Sequence, residues 1–137
     1  MNGINADGRE EIHVLETERI IGCAFSVLNS VGHGFHEKVY ENALVVEFKH
    51  QDIHFLQQAR FPVHHRETKV GEFIPDLIVF GQVVVDTKII PRITDHEIGQ
   101  MLNYLRVTGL HVGLILNFKY SKLEFRRVTL SPKPLSK

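Results

Sequence analysis

Apolar residues recur at helical spacing in the first third of the chain. Between Thr17 and Val31 they occur every three or four residues, and Gly32-His33-Gly34 follows directly. This spacing puts the apolar side chains on one face of a helix, which the glycines then end. We therefore predict one helix over 17–31 and a second over Phe35–His50. The inward face of the second helix is expected to carry Val39, Ala43 and Val46, with Leu44 and Phe48 as further candidates.

The middle of the chain changes to strand-like sequence rich in β-branched residues. His54–His65 and Lys69–Phe80 are predicted strands joined by the polar turn Arg66-Glu67-Thr68, and Gln82–Ile90 is a third strand. The second and third strands are apolar on both faces. That pattern is typical of strands in the middle of a sheet that is covered on each side.

A third helix and two further strands complete the pattern. Thr94 and Glu97 have the spacing of a capping box, and Gly109 marks the end of the helix that they begin. Strands are expected over 111–117 and 123–130. The order of elements is therefore α-α-β-β-β-α-β-β, which predicts an α/β fold with a mixed central sheet flanked by helices.

The length of the chain predicts one domain. A chain of 137 residues has the usual size of a single domain with one core. We place that domain at 15–130. Flexible segments are expected at 1–14, which lacks periodicity, and at 131–137, which contains two prolines.

Charge and cysteine content exclude several classes of protein. The formal net charge is zero, so any phosphate contacts must come from a local patch. The single cysteine, Cys23, excludes an internal disulfide and is expected to be buried. The polar, acidic start does not resemble a secretory signal, and the apolar runs are shorter than the roughly 18–20 residues that span a bilayer. We expect a cytoplasmic protein without a membrane partner.

Three charged residues interrupt the apolar strands. They are Asp76, Asp86 and Lys88. Residues two apart in a strand share a face, so Asp86 and Lys88 project the same way. Charges in such apolar surroundings are costly unless they are paired, hydrogen-bonded or bound to a metal.

The length of the intervening loop decides whether the two aspartates meet. A two-residue turn at Gly81-Gln82 would put Asp76 on the wrong face, whereas a three-residue loop over 80–82 pairs it with Asp86. We predict the three-residue loop, or a bulge near Pro75 with the same effect.

Adjacent carboxylates indicate a cation. They repel each other unless one is protonated or a cation lies between them, and oxygen ligands favour Mg²⁺ or Mn²⁺. Such an ion can polarise a phosphodiester oxygen and lower the pKa of a bound water. In the hydrolysis of a phosphodiester, Lys88 would orient the attacking water or neutralise charge in the transition state. The alternative is a buried Asp86–Lys88 ion pair, with Asp76 capping a turn after Pro75.

Two helix faces add further polar candidates. Glu37, Tyr40 and Glu41 share one face of the second helix, and Gln100 and Tyr104 share one side of the third. The alternatives are simple exposure for Glu41 and simple packing for Tyr104.

These motifs together resemble a known family. Residues 34–40 have the form GxxExxY, and the chain from about Glu18 to Val128 resembles the GxxExxY family within the PD-(D/E)XK nuclease superfamily. The other matching motifs are Pro75-Asp76, Asp86-Thr87-Lys88, the segment from Gln100 to Arg106, and Leu114–Phe118.

The resemblance implies a restriction-endonuclease-like fold and a metal-dependent nuclease that acts on nucleic acid, DNA ahead of RNA. A non-catalytic module that binds nucleic acid or protein is the alternative, and a homodimer is left open. The family usually has Glu where this chain has Asp86. The implied metal ligands are Glu37, Asp76, Asp86 and the Thr87 main-chain carbonyl around Mg²⁺ or Mn²⁺, with Lys88 as catalytic amine and with Gln100 and Tyr104 contacting the phosphate or ordering the site.

Overall fold

The computed structural model describes residues 12–131. The flexible segments expected at 1–14 and 131–137 therefore lie outside the described residues, except for 12–14 and Ser131. Along the chain the elements are α1 (Val14–Val31), α2 (Glu37–His50), β1 (Phe55–Gln57), β2 (Phe61–His65), β3 (Thr68–Phe73), β4 (Leu77–Val79), β5 (Val83–Lys88), α3 (Asp95–Thr108), β6 (Val112–Asn117) and β7 (Glu124–Thr129).

Five strands form the central sheet, in the order β1-β4-β5-β6-β7. β5 and β6 are parallel and are connected through α3, whereas the other neighbouring pairs are antiparallel. This mixed sheet flanked by helices confirms the predicted α/β class and order of elements. It also agrees with the restriction-endonuclease-like fold that the resemblance implied.

Two of the predicted strands are each interrupted once. The segment 54–65 contains β1 and β2, and 69–80 contains β3 and β4. The chain turns at Gln58, which has a positive φ of 60°, and again before Pro75, which lacks an N–H for a ladder. β2 and β3 form a separate two-stranded sheet whose turn is Arg66-Glu67, so β3 is largely exposed rather than buried on both faces.

The helices cover both faces of the central sheet. α1 and α2 pack on the face that carries Val83 and Val85, and α3 packs on the face that carries Val84. The apolar residues at helical spacing in α1 are buried as predicted at Ile20, Ala24, Val27 and Leu28. Val31 is only half-buried. The capping box of α3 is also confirmed, since Glu97 accepts the Thr94 N–H at 2.7 Å. Over residues 12–131, no helix combines the length and the apolar character needed to cross a bilayer.

The predicted inward face of α2 is wrong in part. Val39 and Val46 are exposed, and Ala43 is only half-buried. The helix is turned because Tyr40 stacks on Phe118, with ring centroids 4.3 Å apart, and its hydroxyl donates a hydrogen bond to the Gly32 carbonyl. The buried residues of α2 are Tyr40, Glu41, Leu44, Val45 and Phe48, which confirms Leu44 and Phe48.

The contact between α3 and β6 provides a test of this packing. A Cβ added at Gly113 would lie 2.3 Å from the Met101 Sδ, and Met101 is buried. We expect Gly113→Ala to lower the free energy of unfolding by about 1–3 kcal/mol, because the core must shift to admit the methyl group. The matched control is Gly71→Ala in exposed β3, where nothing lies within 4 Å. Equal urea midpoints for the two variants would contradict this packing.

Candidate active site

The β4–β5 hairpin has the predicted odd-numbered loop. Val79 pairs with Val83, which leaves Phe80, Gly81 and Gln82 as the connection. Phe80 and Gly81 both adopt positive φ, and this lets the chain reverse within three residues. One step beyond the last paired residues, Leu77 and Val85, this register brings Asp76 opposite Asp86. The prediction of a three-residue loop is therefore confirmed.

Asp76 is held where the ladder between β4 and β5 ends. Its Oδ2 accepts two hydrogen bonds from Thr87, one from the main-chain N–H and one from the hydroxyl, each at 3.0 Å. Its main-chain carbonyl accepts the N–H of Gln58 at 3.2 Å. Thus both the backbone and the carboxylate of Asp76 are fixed beside β5.

Asp86 lacks full charge compensation. The pKa of its carboxyl is raised from 3.8 to about 7, chiefly by burial; Lys88 opposes this rise, and the charge and hydrogen bond of Asp76 contribute to it. The Lys88 Nζ lies 3.3 Å from the Asp86 Oδ2, and both side chains are about one-fifth exposed. One ammonium therefore does not offset two neighbouring carboxylates in a largely buried position.

Lys88 remains a cation in this setting. Burial alone would lower its pKa, but the Asp86 carboxylate, with smaller effects from Glu37 and Tyr104, holds the pKa of Lys88 above its ordinary value. Lys88 is therefore an ammonium at neutral pH and can donate hydrogen bonds but cannot act as a base.

Glu37 lies on the Lys88 side of the site. Its Oε2 accepts the N–H of Ile89 at 3.3 Å. Within residues 12–131, no three carboxylate, imidazole or thiolate side chains lie close enough together to hold one ion. The structure therefore brings Asp76 and Asp86 together but does not bring Glu37 into the same group.

The Thr87 carbonyl points to the edge of β5 that faces β4. The Lys88 carbonyl accepts the Phe118 N–H at 3.0 Å on the β6 side, whereas the Thr87 N–H points to Asp76. Because main-chain groups alternate in direction along a strand, the Thr87 carbonyl points to the Asp76 side, beyond the end of β4. The Thr87 carbonyl oxygen is therefore a candidate metal ligand in addition to the two carboxylates.

Tyr104 reaches the site from α3. Burial raises the pKa of its phenol, and the negative charge of Asp86 raises it further. The ring also stacks on Phe73 with centroids 3.9 Å apart, so Tyr104 both packs and faces the charged group. Gln100 lies one turn earlier, half-buried, and its amide makes no hydrogen bond to another residue in the described part of the chain.

A second polar cluster, centred on Glu41, was not predicted from the sequence. This carboxylate is 3% exposed, so the exposed alternative for it is wrong. Its Oε2 accepts hydrogen bonds from Gln57 at 2.7 Å, Gln58 at 2.8 Å and Lys38 at 3.1 Å. Since the Gln58 N–H holds the Asp76 carbonyl, the cluster links α2 to Asp76. The adjacent residues Gln57 and Gln58, inside the predicted strand 54–65, were the one signal for it.

The fold and the site together define an α/β protein that carries two half-buried carboxylates and a lysine at the end of an inner hairpin of its mixed sheet. The model of the PD-(D/E)XK nuclease superfamily matches residues 15–128, and the chain belongs to that superfamily. Nucleases of this superfamily generally use divalent metals and act on nucleic acids. Neither the curated proteins nor the solved structures contain a match to this chain.

The donor atoms fit a hard divalent cation. Two carboxylates and a main-chain carbonyl supply only oxygen, and Mg²⁺ usually binds through one or two carboxylates while it keeps several waters. The pKa of Asp86 is raised mainly by burial, so a cation bound beside it would favour the ionised carboxylate. A third carboxylate in direct contact is not required for the fit.

The pKa of Asp86 predicts how stability depends on pH. A folded pKa of about 7, above the unfolded 3.8, means that stability is highest when Asp86 is protonated and is lost as pH rises from about 4 to 7. Asn cannot ionise, so Asp86→Asn removes this loss. In the absence of metal, the change in the free energy of unfolding caused by Asp86→Asn should therefore be about 1–3 kcal/mol more favourable at pH 8 than at pH 5.

Urea denaturation in EDTA at both pH values checks this prediction. Asp52→Asn is the control because Asp52 is exposed, with a left-handed φ of 56° that Asn tolerates. It should have the same effect at pH 5 and pH 8. A greater loss of stability from Asp86→Asn at pH 8 than at pH 5 would instead identify Asp86–Lys88 as a stabilising ion pair.

Proposed function

We propose that this protein is a divalent-metal-dependent nuclease that hydrolyses phosphodiester bonds in DNA. The supporting observation is the half-buried Asp76–Asp86 pair, in which the one ammonium group of Lys88 stands beside two carboxylates. A divalent cation is the species that this deficit of positive charge favours.

Mg²⁺ or Mn²⁺ would be held by Asp76, Asp86 and the Thr87 carbonyl, with Glu37 as the next carboxylate toward Lys88. When bound, the ion supplies Lewis-acid polarisation of a phosphodiester oxygen and makes water at the site more acidic. Thr87 keeps Asp76 in place through its two hydrogen bonds, so the carboxylate does not have to reorganise during the reaction.

The other residues act on the phosphate and the water as hydrogen-bond donors. Lys88, held as an ammonium, orients the attacking water or neutralises charge that develops on the phosphate. Tyr104 stays a neutral phenol at physiological pH and donates its O–H toward a phosphate oxygen. The Gln100 amide, one turn earlier on α3, contacts the same phosphate or orders the site.

We further propose that the chain belongs to the GxxExxY family. Its three defining residues have distinct physical roles here. Gly34 adopts a φ of 84°, which favours glycine, and the Tyr40 hydroxyl fixes the preceding loop through the Gly32 carbonyl. Glu37 extends to the Ile89 N–H, next to Lys88.

A second candidate function is a non-catalytic module that binds nucleic acid or protein. The observation that favours it is that Asp86 pairs with Lys88 at 3.3 Å while Asp76 is bonded by Thr87, so each charged group has a partner within the protein. In that case the group of three charges serves structure alone.

Cleavage assays separate the two candidates. Linear, circular and single-stranded DNA, and RNA, are incubated with the protein in Mg²⁺, Mn²⁺ or EDTA. We expect cleavage of DNA that requires metal and falls about a hundredfold or more in Asp86→Ala and in Lys88→Ala, because each removes a group that acts in the transition state.

The controls are Asp52→Asn and Lys49→Ala, since both residues are exposed and lie outside the site. Both variants should cleave like the wild type. Cleavage that persists in Asp86→Ala and Lys88→Ala would identify a contaminating nuclease. A folded wild type that cleaves none of the substrates with either metal would favour the non-catalytic module.

A further inference from the structure

An exposed aromatic ring lies beside the candidate site. Phe35 is 52% exposed although it stands between α1 and the first turn of α2. Together with Gly34, His36, Glu37 and Ile89 it lines an open cleft of about 490 Å³. This volume falls in the range of roughly 300–1,000 Å³ that is usual for small-ligand sites. Because Ile89 follows Lys88 directly, the cleft adjoins the proposed phosphate position.

The loop that carries Phe35 is held in place. The Phe35 N–H donates to the Tyr40 hydroxyl at 3.0 Å, and that hydroxyl donates to the Gly32 carbonyl at 2.7 Å. The Gly34 N–H donates to the Phe118 carbonyl at 2.9 Å. The backbone of Phe35 is therefore fixed while its ring faces solvent, so little conformational entropy is lost when a flat ligand stacks on it.

The charge of the cleft indicates which part of a nucleic acid fits there. Glu37 lines the cleft and would repel a phosphate, whereas the Lys88 ammonium attracts one. A nucleobase carries no charge, and both of its faces are available for stacking only when it is not paired and stacked in a duplex. The phosphate therefore suits the Lys88 side, and the base suits the Phe35 side.

The net charge of the chain agrees with this assignment. Duplex affinity comes largely from many Lys and Arg contacts to phosphates, and a chain with zero formal net charge is poorly equipped for them. Stacking on aromatic rings supplies affinity for single strands without a large excess of positive charge.

We propose that this cleft binds the unpaired base of the nucleotide next to the scissile phosphate, stacked on Phe35. The substrate is then a single strand or an unpaired strand end, not a continuous duplex. This inference rests on the proposed function for the position of the phosphate, but base binding itself can be tested without catalysis.

The test measures binding by fluorescence anisotropy in EDTA, where no cleavage occurs. The probes are a labelled single-stranded 16-mer oligonucleotide and the blunt duplex of the same sequence. We expect the wild type to bind the single strand about tenfold more tightly or better. Phe35→Ala should weaken single-strand binding by about 5- to 100-fold, because one base–aromatic stacking contact is lost.

Two further variants at Phe35 separate stacking from simple apolar contact. Phe35→Tyr keeps the aromatic face and should bind like the wild type, whereas Phe35→Leu keeps apolar area without that face and should bind weakly. The matched control is Phe25→Ala on α1, which removes another exposed aromatic ring, 44% exposed, and should leave binding unchanged.

Equal affinity of the wild type and Phe35→Ala for the single strand would overturn the inference, as would equal affinity of the wild type for single strand and duplex. Absence of cleavage together with Phe35-dependent binding in EDTA would refute the nuclease proposal and would still support base binding. Cleavage of duplex and single strand at equal rates, with no effect of Phe35→Ala, would refute base binding and would still support the nuclease proposal.

Discussion

The hydrogen bonds from Thr87 to Asp76 are the interaction on which the rest of the site depends. β4 is only three residues long, so its ladder with β5 ends at Leu77, before Asp76. The Thr87 N–H and hydroxyl take the place of that ladder and hold the carboxylate beside Asp86. Without them, the repulsion between two carboxylates and their loss of solvation would favour moving Asp76 into water.

The same arrangement relates stability to function. A carboxyl group with a pKa near 7 destabilises the metal-free fold at higher pH. The apolar packing of the sheet around it offsets this loss of stability. Residues Val83 to Val85 are fully buried, so β5 has enough apolar support to carry a poorly compensated charge at its end. A strongly shifted pKa beside a second charge is typical of functional sites.

Local rules predicted the parts of this fold that depend on local chemistry. The capping box at Thr94 and Glu97 and the odd number of residues in the 80–82 loop were both predicted and are confirmed. The parity followed from requiring two carboxylates on one face, which links a chemical argument to strand register.

The parts that were missed depend on tertiary contacts. The predicted face of α2 was wrong because apolar residues at helical spacing occur on two sides of that helix, and the stacking of Tyr40 on Phe118 selects between them. The burial of Glu41 depends on Gln57 and Gln58, which are distant in sequence and meet it only after β1 joins the sheet. Hydrophobic periodicity contains no information about such partners.

Calorimetric titration with Mn²⁺ at pH 8 tests the central claim most directly. The claim is that Asp76 and Asp86 form a site for one divalent cation. We predict that the wild type and Asp52→Asn each bind one ion, and that Asp86→Asn, although folded, binds none. Binding of Mn²⁺ by Asp86→Asn as tightly as by the wild type would contradict this account, as would a folded wild type that binds no ion.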